Sequence, residues 1–328
     1  MSHVNRRAFL KAGAVAGLAT VPGLARAVPR KATAKRCILI SLVGGPSQLD
    51  TWDPKPAAPT NYRGPFASIQ TKIPGIQFSE LFPKLAASAD RLAVVRTVTH
   101  PYAPVHEFGL QLLNTGRVFR DGPAAPNLGS QLVKNGQFEL VSSGWIDCGI
   151  PIPVGLETKR PEPGGFAEQC KAVVELLDRG WQFLAVPMYH TVFDAVTWDC
   201  HADGGSLAST LGDYKDTVAP LFDSAFTGLL NDLSDRRLLD STLVIACGEF
   251  GRTPKLNATG GRDHWTGCWT AFVAGGGVRG GQVIGESDAV AGEPKDRPVQ
   301  LADIAATIGY AFGKEVPGCA GTPVTELF

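Results

Sequence analysis

Glu249, Arg252, Asp263 and His264 fall within one short stretch: Gly248-Glu249-Phe250-Gly251-Arg252-Thr253-Pro254, then Gly261-Arg262-Asp263-His264-Trp265. A carboxylate, a guanidinium and an imidazole together suit metal ligation and recognition of a phosphate or sulfate, because arginine's planar fork matches such oxyanions. The same residues also satisfy a plain Glu–Arg ion pair that stabilises the loop, with Asp263 orienting His264.

Three further clusters carry comparable groups. Gly44-Gly45-Pro46-Ser47-Gln48-Leu49-Asp50-Thr51-Trp52-Asp53 offers Ser47 as a nucleophile and Asp50 or Asp53 as oxygen ligands, beside glycines that let backbone approach a ligand. A Gly-Pro turn with Asx caps accounts for the same residues. Thr99-His100-Pro101-Tyr102-Ala103-Pro104-Val105-His106-Glu107 sets His106 just ahead of a helical segment, where an imidazole can meet an anion, ligate a metal or serve structurally. Trp198-Asp199-Cys200-His201 has its carboxylate and imidazole two residues apart, so extended backbone turns both to one side. That pair joins a hard oxygen to a borderline nitrogen, as zinc, manganese or iron prefer, while a polar loop with a local Asx turn is the structural alternative.

Each cluster follows or adjoins an apolar run, which indicates what positions it. Residues 37–43, 92–95, 183–188, 242–247 and 270–274 read as strands, the first buried on both faces and central in a parallel sheet. Helical patterns cover 81–89, 166–179, 213–237 and 301–312. Strands alternating with helices predict a three-layer α/β/α sandwich around a mostly parallel sheet, whose ligand sites lie outside the carboxyl ends of the strands. Residues 118–165, rich in Pro and Gly, read as a long surface excursion overhanging the site.

The bulk properties narrow the classes of function. With 328 residues, 44% of them apolar, the chain can bury a large core, and 31 basic against 31 acidic side chains leave no net field to recruit nucleic acid. Residues 1–27 read as a twin-arginine signal peptide: Arg6-Arg7 precedes a weakly apolar Gly/Ala segment and the small-residue site Ala25-Arg26-Ala27. The remaining 28–328 then form a single domain, exported folded by the Tat machinery to the periplasm or beyond, with no transmembrane span in the mature chain. Seven cysteines without a C-x-x-C pair read mostly as small core residues, with one disulfide left open.

Gly44 to Pro56, Trp198-Asp-Cys-His201, Gly248-Glu-Phe-Gly-Arg-Thr-Pro254, Gly261-Arg-Asp-His-Trp265 and the Gly275 to Gly285 segment together resemble the exported bacterial family known as domain of unknown function 1501, a sulfatase-like branch of the alkaline phosphatase superfamily. The resemblance runs from about residue 37 to the carboxyl terminus. It implies one or two divalent ions (zinc, manganese or calcium) at the strand ends and a nucleophile at a helix start. Asp199 and His201 fall at the superfamily's Asp-His ligand pair, Glu249 at a strand end where relatives present a similar pair, and His264 in the loop of a later histidine. His106 stands where sulfatases carry a modified cysteine or serine, and Gly44-Gly45 where they carry paired acids, which leaves Asp50 to complete the site. Cys-x-Pro-x-Arg is absent, so formylglycine chemistry is not expected.

The expectation is an exported metal-dependent hydrolase of phosphate or sulfate esters, taking a small anionic ester or a sulfated or phosphorylated glycan. Asp50, Asp199, His201, Glu249 and His264 would hold metal, Ser47, His106 or a water would attack, and Arg252 would bind the oxyanion. The alternative is a non-catalytic sulfatase-like protein that binds anionic glycans or an envelope partner. Asp303 is expected to cap the helix over 301–312 rather than react.

Overall fold

Strand β1, Arg36–Ser41, has no polar face, and the structure covers it on both sides. In the computed structural model residues 32–328 form a compact unit, and the residues described are 32–119, 125–133, 138–140, 165–193, 195–204 and 209–328. Residues 1–27, which the sequence predicts to be a signal peptide, lie outside them.

The strands are β1, β2 (Ser68–Gln70), β3 (Gln77–Ser79), β4 (Ala93–Thr99), β5 (Phe138–Leu140), β6 (Phe183–Pro187), β7 (Thr242–Cys247), β8 (Gly251–Arg252), β9 (His264–Trp265), β10 (Trp269–Ala274), β11 (Gln282–Ile284) and β12 (Val299–Gln300). The helices that matter below are α1 (Pro83–Ala87), α2 (His106–Thr115), α3 (Leu128–Leu132), α4 (Phe166–Asp178), α5 (Ala219–Asp235) and α6 (Leu301–Ala311). Eight strands make the main sheet, in the order β11-β4-β10-β7-β1-β6-β5 with β12 beside β4. β1 is parallel to both β6 and β7, as the sequence predicts for a central strand.

The run 270–274 departs from the parallel expectation: β10 pairs antiparallel with β4 and with β7. No helix separates β7 from β10, so the chain has no crossover with which to regain the far edge, and it returns in the opposite direction. This reversal places the start of β10, and the loop before it, at the edge where the parallel strands end.

Alternation along each strand divides the core into two layers. Ile38, Ile40, Val244, Ala246, Leu184, Val186 and Phe272 face α1, α4 and α5. Cys37, Leu39, Leu243, Ile245, Phe183, Ala185 and Val273 face α2, α3 and α6. The result is the expected α/β/α sandwich. Within 118–165, the described residues contribute α3, whose Leu128 and Leu132 enter the second layer, and β5, which pairs with β6. The rest of that segment lies outside the described residues.

The helix expected over 213–237 begins earlier, at Leu211, where Thr210 and Asp213 form a capping box, and it passes through a π-type turn at Tyr214–Val218 before α5. Asp303 closes a capping box with Gln300, accepting its N–H at 2.9 Å. The six described cysteines are free thiols, five of them buried, and Cys148 lies outside the described residues.

One buried carboxylate joins two helices of the first layer. Asp223 of α5 accepts the N–H groups of Leu85 at 2.7 Å and Lys84 at 3.0 Å, satisfying amides that the short α1 cannot satisfy internally. Asp223→Ala is expected to destabilise the protein by about 1–3 kcal/mol, read as a lower midpoint in urea with an unchanged slope.

Candidate metal centre

Loops from five strand ends meet at one edge of the sheet. Gly44 follows β1, Asp199 and His201 lie beyond β6, Glu249 follows β7, His106 opens α2 after β4, and His264 precedes the reversed β10. The two-stranded pairing of β8 with β9 sets His264 opposite Arg252. Trp198 and Cys200, both wholly buried, fix the backbone on either side of Asp199.

Three imidazoles converge on the Asp199 carboxylate. His264 Nε2 lies 3.0 Å and His201 Nε2 3.2 Å from Oδ1, and His106 Nε2 lies 3.6 Å from Oδ2. Each ring is held from behind through Nδ1: His106 by Glu249 Oε1 at 2.6 Å, His201 by Asp263 Oδ1 at 3.0 Å, and His264 by the Pro104 carbonyl at 2.8 Å. Carboxylates and carbonyls only accept, so every Nδ1 donates, and in the neutral ring the lone pair sits on Nε2. Phe250, itself wholly buried, packs against the rings of His264 and His106 with centroids 4.3 and 4.9 Å away.

This arrangement fits a cation. Three lone pairs facing a carboxylate repel it unless a proton or a metal lies between, and Asp199 Oδ2 and His201 Nε2 are buried without a hydrogen-bond partner. The ligand atoms of His106, Asp199 and His264 lie within 4.8 Å of one another. Two donors each ~2.0 Å from a tetrahedral zinc stand about 3.3 Å apart, close to the spacings around Asp199.

Charge reinforces the geometry. Burial pushes the Asp199 carboxyl upward, but Arg252 and the three imidazoles outweigh it and hold the group well below the usual carboxylate range. Burial opposes a charge on His106 too, yet its bonds to Asp199 and Glu249 raise it to about 9 in the metal-free protein. The Asp199 bond also raises His201, whereas burial lowers His264, with Arg252 adding to the effect.

The structure changes the roles of several expected site residues. Arg252 does not face a substrate: it is wholly buried, donating to Gly45 O at 2.9 Å, to Arg262 O at 3.2 Å, and to Gly44 O and Asp199 Oδ1. Asp50 is not placed with the imidazoles, because Arg262 neutralises it through Nε at 2.5 Å and Nη2 at 3.3 Å. Ser47 is fully buried and its hydroxyl donates to Asp50 at 2.5 Å, so it has no path to a substrate. Asp263 orients His201 rather than His264. Glu249 stands behind His106 instead of beside His264, and the Gly44 N–H donates to its Oε1 at 2.8 Å.

Arg262 and the Pro104 carbonyl were missed by sequence reasoning. Arg262 adjoins the Asp-His pair and has the same buried, fully paired character as Arg252, with further bonds to Tyr62, Thr253 and Pro254 carbonyls. Its only sequence signal is that two arginines and two aspartates flank the site loops and can pair off. A backbone carbonyl leaves no signal in residue types.

The profile of the family described as "Protein of unknown function (DUF1501)" matches residues 34–139 and 154–316. The chain belongs to this DUF1501 family. No curated protein matches it in sequence. Among solved structures, this DUF1501 chain is similar to a sulfatase from a glycosaminoglycan-metabolism locus of Bacteroides thetaiotaomicron, with a TM-score of 0.56 and 14% identity over 90% of this chain and 76% of that one. It is similar to the phosphonate monoester hydrolase of Silicibacter pomeroyi, with a TM-score of 0.52 and 13% identity over 89% and 76% of the two chains. A third, solved in complex with its substrate D-glucosamine-2-N,6-O-disulfate, gives a TM-score of 0.54 and 12% identity over 89% and 80%. These neighbours are sulfatases and phosphonate monoester hydrolases of the alkaline phosphatase superfamily, and at such identities the likeness shows the fold.

Two outcomes follow for the DUF1501 site. Arg252→Ala leaves Asp199 buried without its counter-charge and is expected to cost about 3–5 kcal/mol, measured by chemical unfolding. In the metal-free protein the raised His106 contributes stability that is complete below the unfolded value of about 6.5 and is lost as pH rises through about 9. Unfolding midpoints from pH 6 to 10 should therefore fall across that window, and His106→Gln should flatten the decline.

Proposed function

We propose that this protein is an exported, metal-dependent hydrolase of phosphate or sulfate esters. The observation that supports this most directly is the convergence of three Nε2 atoms on Asp199, each ring backed through Nδ1 by an oxygen acceptor. His106, His264 and Asp199 would hold the ion, with His201 beside Asp199. Imidazole-rich donor sets suit zinc better than manganese or calcium, which prefer oxygen ligands. A bound divalent ion would polarise the ester's phosphoryl or sulfuryl oxygen and bring the pKa of water to ~7.

The remaining steps fall to this chain's own residues. Asp199 stays ionised because Arg252 is locked against its Oδ1, and so keeps Oδ2 available as an oxygen donor to a cation. The start of α2 has no side-chain cap, and its dipole favours the substrate's anionic oxygens beside the ion. With Ser47 buried and paired to Asp50, water is the attacking group. The twin-arginine pattern within 1–27 supports export, and among the described residues no helix is long and apolar enough to cross a membrane.

One observation favours the non-catalytic reading: the helix start where sulfatases carry their nucleophile holds His106, whose Nδ1 is tied to Glu249. Elemental analysis of the purified protein, with p-nitrophenyl phosphate and p-nitrophenyl sulfate assays, separates the two. Catalysis predicts about one bound transition metal per site and turnover of at least one ester, with His264→Ala losing metal and roughly 100-fold or more in rate. Metal-free protein that ignores added zinc and manganese and cleaves neither ester would sink the hydrolase.

A further inference from the structure

The three imidazoles are backed by acceptors of different charge and exposure. His106 Nδ1 meets the Glu249 carboxylate, whose residue is wholly buried. His201 Nδ1 meets Asp263, whose side chain is 56% exposed, and His264 Nδ1 meets a neutral carbonyl. A carboxylate behind an imidazole raises the ring's donor strength, and one shielded from water does so most, because solvent screens the exposed charge.

Glu249 is also held by the backbone around it. Its backbone lies two residues beyond the end of β7, its Oε1 takes the Gly44 N–H at 2.8 Å along with His106 Nδ1, and α2 lies directly against it. A Cβ on Gly109 would fall 2.3 Å from the Glu249 carbonyl oxygen, so only glycine lets the helix carrying His106 approach this closely. His106 and Gly109 are three apart and share a helix face. One contact therefore sets the separation of ring and carboxylate.

We propose that Glu249 is a positioning residue for His106: it holds the ring with Nδ1 protonated and Nε2 directed at Asp199, and makes His106 a stronger nitrogen donor to a zinc-class ion than His264, the other imidazole of the ligand set. The inference rests on the metal-centre reading of the proposed function. It replaces direct ligation by Glu249 with action through His106.

The test compares zinc affinity, by competition with a chromophoric chelator, in wild type, Glu249→Gln and Asp263→Asn. Glutamine keeps an oxygen for the Gly44 N–H and removes the charge. The expected result is about 10–100-fold weaker zinc binding for Glu249→Gln and a smaller loss for Asp263→Asn. Proton NMR of histidine-labelled protein supplies a readout that needs no metal. Wild type should show a strongly downfield Nδ1 proton that is lost in His106→Gln and moves upfield in Glu249→Gln. If the glutamine variant does not accumulate, Glu249→Asp, which withdraws the carboxylate by one methylene, should weaken zinc and move the same proton. An equal or larger zinc loss in Asp263→Asn, or unchanged affinity in Glu249→Gln, overturns the donor ranking. Absence of the downfield proton in wild type overturns the positioning role itself. Wild type that binds no zinc refutes the metal centre and the ranking together, while the proton spectrum still decides whether Glu249 holds His106.

Discussion

The pairing of Arg252 with Asp199, both almost fully withdrawn from water, is the interaction on which the site depends. Burying two such ions costs several kcal/mol each unless their remaining hydrogen-bonding capacity is used. Arg252 uses it on the carbonyls of Gly44, Gly45 and Arg262, so one guanidinium ties together the turn after β1, the segment after β6 and the loop joining β8 to β9. The orientation this imposes leaves Asp199 Oδ2 without a partner on the side where His106 stands. A structural ion pair and an oxygen with its lone pairs uncommitted are thus two ends of one side chain.

Close backbone packing makes the pairing possible. Gly44 sits at φ 105, and a Cβ there would come within 2.7 Å of the Asp199 amide nitrogen. A Cβ on Gly261 would fall 2.3 Å from His201 O, where the neighbouring Arg262 N–H donates to Cys200 O at 2.9 Å. Beneath these loops Trp52 packs against Phe82, Phe222, Phe272 and Trp198, with centroids 4.7–5.9 Å apart. The polar edge therefore stands on an aromatic base, and rigid support of this kind holds the imidazoles and the Asp199 carboxylate in a fixed mutual geometry.

The fold was legible in the sequence because strands buried on both faces read as uninterrupted apolar runs, and those expected over 242–247 and 183–188 appear as β7 and, one residue shorter, β6. Residue types at strand ends likewise pointed to His201 and His264, whose ring centroids lie 4.7 Å apart. What residue types do not reveal is which opposite charge each ion meets. Asp50 and Asp199 are both aspartates in loops that follow strands, yet Arg262 takes the first and Arg252 the second, and only the Asp199 pair leaves an oxygen over for the imidazoles. The roles of Asp263 and Glu249 were misread for the same reason: a second carboxylate near a histidine can ligate or orient, and the choice depends on loop paths set by tertiary packing. The reversal of β10 was hidden because a strand's composition does not encode its direction.

The long sequence separations within this centre bear on when it comes into being. His106, Asp199 and His264 arise from distant parts of the chain, and Arg252 closes on Gly44 across 208 positions. No early fragment leaving the ribosome contains all the donors or the guanidinium that orders them. The proposed capture of an ion would therefore wait until β10 has turned back along the sheet, and would report that the long-range closures joining β1, β6, β7 and β10 have taken place.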